Sequence, residues 1–289
     1  MSIVVKNLSH TYMEKSKIAV KAVDDVSLTV EPGEFLCIIG HTGSGKSTLI
    51  QHFNGLMQPT SGSVTVDGYD MADKKQRKLG RQLVGMVFQY PEYQLFEETV
   101  YKDVAFGPTN MGLDAEAVKN AVFEAMERVG LAIDRFCEKS PFDLSGGEKR
   151  RAALAGIIAM QPKYLVLDEP MAGLDPMGRA EILGVLESLR REKNTAVIMI
   201  SHSMDDIMRH ATRVAVLEKG RLIRLGEPRE IFKETKLIRE MGLDIPQSAQ
   251  IAELLRKKGV AVPPEVVAED ELVEFVLAAA GRNNGRING

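Results

Sequence analysis

Cysteine is scarce. The 289 residues hold two, Cys37 and Cys137, too few for a disulfide framework. Cys37 sits in the apolar run Phe35-Leu36-Cys37-Ile38-Ile39 and reads as a small buried hydrophobe, and a reducing cytoplasm suits both thiols. Long apolar runs are missing too. No stretch approaches the ~18 apolar residues of a membrane-spanning helix, so any membrane role is expected to run through a partner. The start, Met1-Ser2-Ile3-Val4-Val5-Lys6, lacks the basic stretch and apolar core of a secretory leader. An excess of one charge is also absent: 37 Lys and Arg stand against 40 Asp and Glu, a net −3. A nucleic-acid partner is therefore not expected, since such domains are usually basic.

What is there is the balance of a globular protein, 44% hydrophobic and 27% charged. The length allows one large α/β domain with a small appendage. Residues 3–8 and 24–30 read as strands, the second with one wet face because Val26, Leu28 and Val30 alternate with Ser27 and Thr29. Phe35 to Ile39 is continuously apolar, as in a strand buried on both faces. A Gly-rich loop follows, then a helix over about 45–56. Ser63 to Val66 opens a hairpin, and Val84 to Phe88 is a further apolar strand. From about 92 to 160 the pattern turns helical, with Val118, Val122, Met126 and Val129 on one face of a helix over 115–129. Strands return at 164–167, 196–200 and 213–217, separated by helices near 177–191 and 204–210. Strands alternating with helices predict a parallel sheet, and the long helical stretch predicts an inserted α-subdomain. The main domain is expected over 1–230. Residues 231–289 form a C-terminal helical extension, with helices over 228–241, 247–258 and 264–280. It is read either as a cap on the core or as a dimerisation surface, with a disordered tail over 281–289.

Three motifs carry chemistry. Gly40-His41-Thr42-Gly43-Ser44-Gly45-Lys46-Ser47 has the P-loop form, between a buried strand and a helix start. Its glycines let backbone N–H groups curl around phosphates, and the helix start adds a positive dipole end. The residues Gly40, His41, Thr42, Gly43, Ser44, Gly45, Lys46, Ser47 and Thr48 are the expected nucleotide contacts. Lys46 is expected on the β and γ phosphates and Ser47 on Mg²⁺; the motif makes no demand of the His41 side chain. Second, the apolar strand Tyr164 to Leu167 ends in Asp168-Glu169-Pro170. Asp168 takes the Mg²⁺-holding role of such an acid, and Glu169 can polarise the attacking water as general base. Third, Asp143-Leu144-Ser145-Gly146-Gly147-Glu148 sets Ser145 three residues before Glu148, a capping box that starts a helix. An ordinary cap explains Ser145 and Glu148 but not the paired glycines, which permit close approach. This is a second phosphate cradle, and two cradles in one ATPase make sense if two chains face each other.

The run Leu144-Ser145-Gly146-Gly147-Glu148, upstream of Asp168-Glu169, resembles the signature of ABC transporter ATPases over residues 1–230. The resemblance implies a P-loop ABC ATPase core with an antiparallel β-subdomain and an inserted α-helical subdomain. It implies ATP and Mg²⁺ as cofactors, and further roles by position. Gln89 matches the Gln loop that contacts Mg²⁺ and the water, Tyr12 the aromatic that stacks on adenine, Gly173-Leu174-Asp175 the D-loop, and His202 the switch histidine on the γ-phosphate. His10, His52 and His210 read as surface or packing residues. The segment Phe88-Gln89-Tyr90-Pro91-Glu92-Tyr93-Gln94-Leu95-Phe96-Glu97, with Asp103 to Asn110 after it, is similar to the ATPases of energy-coupling factor (ECF) transporters, in the form of the second ATPase subunit of these vitamin and cobalt or nickel importers. That implies a second ABC ATPase, a membrane scaffold and a substrate-binding membrane subunit as partners, and a peripheral place on the cytoplasmic face of the cell membrane. On the residues alone, Tyr90, Tyr93, Leu95 and Phe96 ringed by Glu92, Glu97 and Glu98 suit a groove for a basic partner helix. Lys74-Lys75-Gln76-Arg77-Lys78 reads as a solvated helix face, and Lys149-Arg150-Arg151 as charge that balances nucleotide and acidic neighbours. A soluble ABC protein of DNA repair or ribosomes would need a coiled-coil insert or a second cassette, and a P-loop kinase leaves the signature unexplained.

Overall fold

A computed structural model describes residues 1–284. The chain opens with β1 (Ile3–Tyr12), β2 (Val20–Val30), β3 (Phe35–Ile39), α1 (Lys46–Phe53), β4 (Ser61–Val66), β5 (Tyr69–Asp70), α2 (Lys74–Gln82) and β6 (Val84–Val87). A helical block follows: α3 (Val100–Asn110), α4 (Ala115–Arg128), α5 (Ile133–Phe136) and α6 (Gly146–Ile158). The α/β alternation resumes with β7 (Tyr164–Asp168), α7 (Pro176–Lys193), β8 (Ala196–Ile200), α8 (Met204–His210), β9 (Arg213–Glu218) and β10 (Arg221–Gly226). The chain closes with α9 (Pro228–Lys233), α10 (Thr235–Glu240), α11 (Gln247–Lys257) and α12 (Glu269–Asn284).

Two sheets result. Strands β2-β1-β4-β5 form an antiparallel sheet, and β10-β9-β3-β8-β7-β6 a second one. In the larger sheet β9, β3, β8, β7 and β6 run parallel, and β10 closes the edge antiparallel to β9. The apolar runs of the central strands follow from this layering. Successive side chains of a strand point to opposite faces, so Phe35, Cys37 and Ile39 enter the core shared with the helices. Leu36 and Ile38 enter the core between the two sheets and α1. Strand β8 divides the same way, Val197 and Met199 against Ala196, Ile198 and Ile200. A strand with no wet face has no polar alternation to show.

Helix starts follow local chemistry. The side chains of Asp73, Thr99, Asp114, Ser145, Asp175 and Ser203 each accept a first-turn N–H of the helix they precede. Helix α4 buries Val118, Val122 and Met126 with Ala121 and Ala125 between them. Several elements depart from expectation. β1 continues to Tyr12 and β2 begins at Val20, because pairing between them extends the hairpin past its alternating part. β10 has no fully buried residue, so it leaves little apolar signal. The helix expected over 228–241 is two, α9 and α10, which meet at Glu234. The last helix is Glu269–Asn284 rather than 264–280. Of the tail expected to be disordered over 281–289, residues 281–284 end α12 and 285–289 lie outside the described residues.

Candidate nucleotide site

The register of the parallel sheet assembles the site. Ile38 of β3 pairs with Ile200 of β8, and Ile200 pairs with Asp168 of β7. Beside them Val87 of β6 pairs with Leu167. Gly40, His202, Glu169 and Gln89 therefore all leave the sheet within two residues of one line across its carboxyl edge. Ligands of open α/β sheets bind at that edge.

The first cradle hangs from β3. Gly40 has φ 157 and packs so tightly that a Cβ would lie 2.3 Å from Leu217 O and 2.5 Å from Ser44 Oγ. Gly45 has φ 97, and a Cβ there would strike Ala22 O; only glycine fits either position. The loop curls round its own lysine: Lys46 Nζ donates to Gly40 O at 2.7 Å and to His41 O at 3.1 Å. Lys46 is buried. Burial holds its pKa below the ordinary lysine value, against the opposing pull of Glu169 and Asp168. Ser44 Oγ is fully buried with no hydrogen-bond partner, and α1 has no side-chain cap. A buried hydroxyl without a partner and an uncapped helix start suit an anion bringing oxygen acceptors. The His41 ring has its Nδ1 2.7 Å from Thr42 O. Tyr12 reaches the same helix, its hydroxyl 3.0 Å from Thr48 Oγ1, with its ring more than a third exposed.

Across the edge stand the acids. Asp168 is buried, and burial raises its pKa, opposed by a hydrogen bond with the Ser47 side chain. Glu169 has φ 48, a strained left-handed conformation for a residue with a side chain. The turn aims its carboxylate out of the strand, where His202 Nε2 lies 2.8 Å from Oε1 and Gln89 Nε2 donates to Oε2 at 3.4 Å. Lys46, Ser47, Gln89, Asp168, Glu169 and His202 thus form one cluster.

The signature lies apart from it. Ser145 and Glu148 make the reciprocal capping box, Ser145 N–H to Glu148 Oε2 at 2.8 Å and Glu148 N–H to Ser145 Oγ at 3.4 Å. Among the described residues no hydrogen bond joins it to the P-loop. A Cβ on Gly146 or Gly147 would meet nothing within 4 Å. These glycines are not demanded by this chain's own packing.

Arg150, which sequence reasoning treated only as charge balance, ties the region together. It lies beneath the signature, nearly buried, and grips Glu92 with two bonds: Nε to Oε2 at 3.1 Å and Nη2 to Oε1 at 2.9 Å. Its Nη1 donates to Ala172 O at 2.6 Å, and its guanidinium lies 6.0 Å from the Tyr90 ring centroid. One side chain thus fastens the segment after Gln89, the signature helix and the segment after Glu169. No sequence signal marks the pair, since Glu92 and Arg150 are 58 residues apart. Glu92 is accordingly not a free acid ringing a partner groove, as the sequence suggested. Glu98 is paired with Lys102.

Of the residues expected to form that groove, only Leu95 and Phe96 line the cleft found in this region; Tyr90, Tyr93, Glu92, Glu97 and Glu98 do not. About 950 Å³ in volume, the cleft lies between α2 and the helical block. Leu56, Phe96, Phe106, Met111 and Met160 line it, and so do Lys74, Arg77, Lys78 and Arg81 of α2 and the acid Asp103. Lys74, Lys75, Gln76 and Lys78 are exposed, as expected of a solvated face, and Lys74, Arg77 and Lys78 also edge the cleft. Asp103 Oδ2 accepts the N–H groups of Phe96 and Glu97 at 2.9 Å, fixing the aromatic rim.

The model of the family described as ABC transporter matches residues 23–172. The energy-coupling factor transporter ATP-binding protein EcfA2 of Caldanaerobacter subterraneus subsp. tengcongensis is 50% identical over 96% of this chain and 97% of its own length. The chain belongs to this family of ABC transporter ATPases. Family membership makes it an ATP-binding and ATP-hydrolysing transporter subunit, and the cluster at the sheet edge is where its nucleotide chemistry is sought. Among solved structures, cbiO1 from Clostridium perfringens, part of the ABC transporter complex cbiONQ, superposes with a TM-score of 0.73 at 35% identity, over 88% of this chain and 98% of that one. The ATP-binding cassette MJ0796, in a dimeric post-hydrolysis state bound to ADP and Pi, superposes with a TM-score of 0.70 at 27% identity, over 78% of this chain and 98% of that one.

Breaking a buried ion pair strands a charge, which typically costs 3–5 kcal/mol. Arg150→Met is expected to destabilise the fold by about 3 kcal/mol in chemical denaturation at neutral pH. Burial raises the Glu92 pKa, but the Arg150 hydrogen bonds, a backbone hydrogen bond and the Arg150 charge together outweigh it, and the carboxyl titrates below its ordinary value. A depressed carboxylate contributes its stability above the unfolded pKa and loses it as pH falls through the folded one. The difference between wild type and variant should therefore shrink in acid, and a difference independent of pH would contradict the pairing.

Proposed function

We propose that this subunit hydrolyses ATP in a composite site, with the nucleotide held between its P-loop and the signature of a second ABC ATPase. The observation that carries this reading is the open space over Gly146 and Gly147. An N-terminal helix turn with two unobstructed glycines is a phosphate cradle, and in this chain nothing fills it.

Within the site, Gly40 to Thr48 wrap the phosphates, Lys46 neutralises the β and γ groups, and Tyr12 stacks on the adenine. Ser47, Asp168 and Gln89 are the residues that would hold Mg²⁺. When bound, that ion neutralises charge on the β and γ phosphate oxygens. A set with a single carboxylate suits a cation that shares its shell with water and phosphate. Glu169 is the general base, its carboxylate steadied on one oxygen by His202 and on the other by Gln89. His202 is then placed to contact the γ-phosphate, and the signature Ser145, Gly146, Gly147 and Glu148 completes the site of the facing subunit.

The partners follow the ECF reading: a related ATPase forming a heterodimer, a membrane scaffold and a substrate-binding membrane subunit, with vitamins or transition-metal ions as cargo. No described helix is long and apolar enough to cross a membrane. On the ECF reading the subunit works from the cytoplasmic face of the cell membrane through those partners. The groove between α2 and the helical block receives a helix of the scaffold. Its apolar floor buries that helix, and its walls of both charges fix the register. Residues 1–230 act as the motor. The C-terminal extension, with Ile251, Leu254, Val273 and Leu277 exposed, offers a surface for dimer contact.

Glu169→Gln should bind ATP with ordinary affinity and hydrolyse it at least ~100-fold more slowly, the scale of general-base loss. A variant turning over at the wild-type rate would remove Glu169 from the base role. Phe106→Glu, at an exposed ring of the groove, should lose co-purification with the membrane components while keeping ATP binding; full retention would exclude the groove as the docking site.

A further inference from the structure

Helix α8 follows directly on the segment that carries His202, and it is seven residues long. Helices so short are not stable alone, so tertiary contacts decide where this one sits. Its inner face is settled by Met204 and Ile207, buried in the main core. Above it, Ser201 Oγ accepts the Ser203 N–H at 3.1 Å, and Ser203 Oγ accepts the Asp206 N–H at 3.4 Å. These bonds tie the His202 loop to the start of α8.

The outer face is held by the C-terminal extension. Asp205 Oδ1 accepts the N–H of Gln247 at 2.8 Å. Gln247 is the first residue of α11, whose N-cap, Pro246, supplies no side-chain bond. A helix leaves its first N–H groups unpaired, and a carboxylate is their favoured partner. Asp205 thus caps a helix 42 residues downstream. Ile245 and Ala249, on either side of the capped residue, are buried in the same core as α8, so the cap is fixed from both ends. Gln247 also lines, with Glu169, His202, Ser203 and Asp205, a cavity of about 370 Å³. The extension reaches the wall of the hydrolytic cavity. The second link, Arg209 to Glu269 at 2.9 Å, is exposed on both sides and of little consequence for position.

We propose that Asp205 is a positioning residue for hydrolysis: through its bond to the Gln247 N–H it fixes α8, and with it the placement of His202 against Glu169. This rests on the roles given above to Glu169 and His202. It also gives the C-terminal extension a part in turnover independent of any dimer contact.

Steady-state ATPase assays on the full-length chain test it. Asp205→Ala should lower kcat roughly tenfold and leave the KM for ATP unchanged, because a group used in the hydrolytic step is misplaced while the phosphate cradle is untouched. Asp205→Asn keeps an acceptor oxygen and should recover most of the rate. Gln247→Pro deletes the donor, and Gln247→Ala, which keeps the N–H and should run at the wild-type rate, controls for the loss of the side chain from the cavity wall. Proline is accepted at a first helical position, and Pro246, with ψ 145, already has the extended backbone that precedes proline. Gln247→Pro should reproduce the kcat loss although it lies on neither α8 nor the P-loop. If Asp205→Ala and Gln247→Pro both run at the wild-type rate while Glu169→Gln is inactive, the positioning role is wrong and the hydrolytic assignment stands. A loss in Asp205→Ala that Gln247→Pro does not share overturns it too. If Glu169→Gln is itself fully active, the hydrolytic assignment falls and this inference with it.

Discussion

Lys46 is a cation withdrawn from water at the carboxyl edge of a parallel sheet, and the site is built around balancing it. Its ammonium draws the carbonyls of Gly40 and His41 inward. Gly40 and Gly45 of the same loop pack so closely on the backbone at Leu217 and Ala22 that neither has room for a Cβ. The Ser44 hydroxyl of this loop is buried without a hydrogen-bond partner. Opposite the loop the sheet register delivers Asp168 and Glu169, whose charge opposes the effect of burial on the lysine. A buried cation facing acids with a gap between them is an arrangement that phosphate and a divalent ion complete.

The helical block and the extension add control to this centre. Arg150 gathers Glu92 and the carbonyls after Glu169 at the foot of the signature helix. One side chain thus joins the segment after Gln89 and the segment after Glu169 to the signature helix. Asp205 does the corresponding work on the other flank, binding the histidine segment to the C-terminal helices.

Much of this was legible in the sequence because it is written locally. The P-loop, the Asp168-Glu169 strand end and the capping box of Ser145 and Glu148 each declare themselves within a few residues. The continuous apolar runs of β3 and β8 reveal strands buried on both faces. What was not legible depends on distant pairing. Glu92 looked like a free acid because its partner Arg150 is remote in sequence. The cleft beside α2 was not legible because its α3 and α6 walls come from elsewhere in the chain. The Asp205 cap is invisible for the same reason, and β10 because an edge strand with half-exposed side chains lacks a clear period. The break at Glu234 between α9 and α10 passed unnoticed since no glycine or proline marks it.

The central claim is that the signature glycines of one cassette close on the nucleotide of another. The most direct measurement is a structure of the Glu169→Gln protein with its partner subunits and MgATP. The account predicts ATP with its phosphates on the Gly40–Thr48 loop and its γ-phosphate against the signature of the facing ATPase, with this chain's Gly146 and Gly147 covering the nucleotide of that partner. ATP bound on the P-loop with the signature of each chain left open to solvent would contradict it.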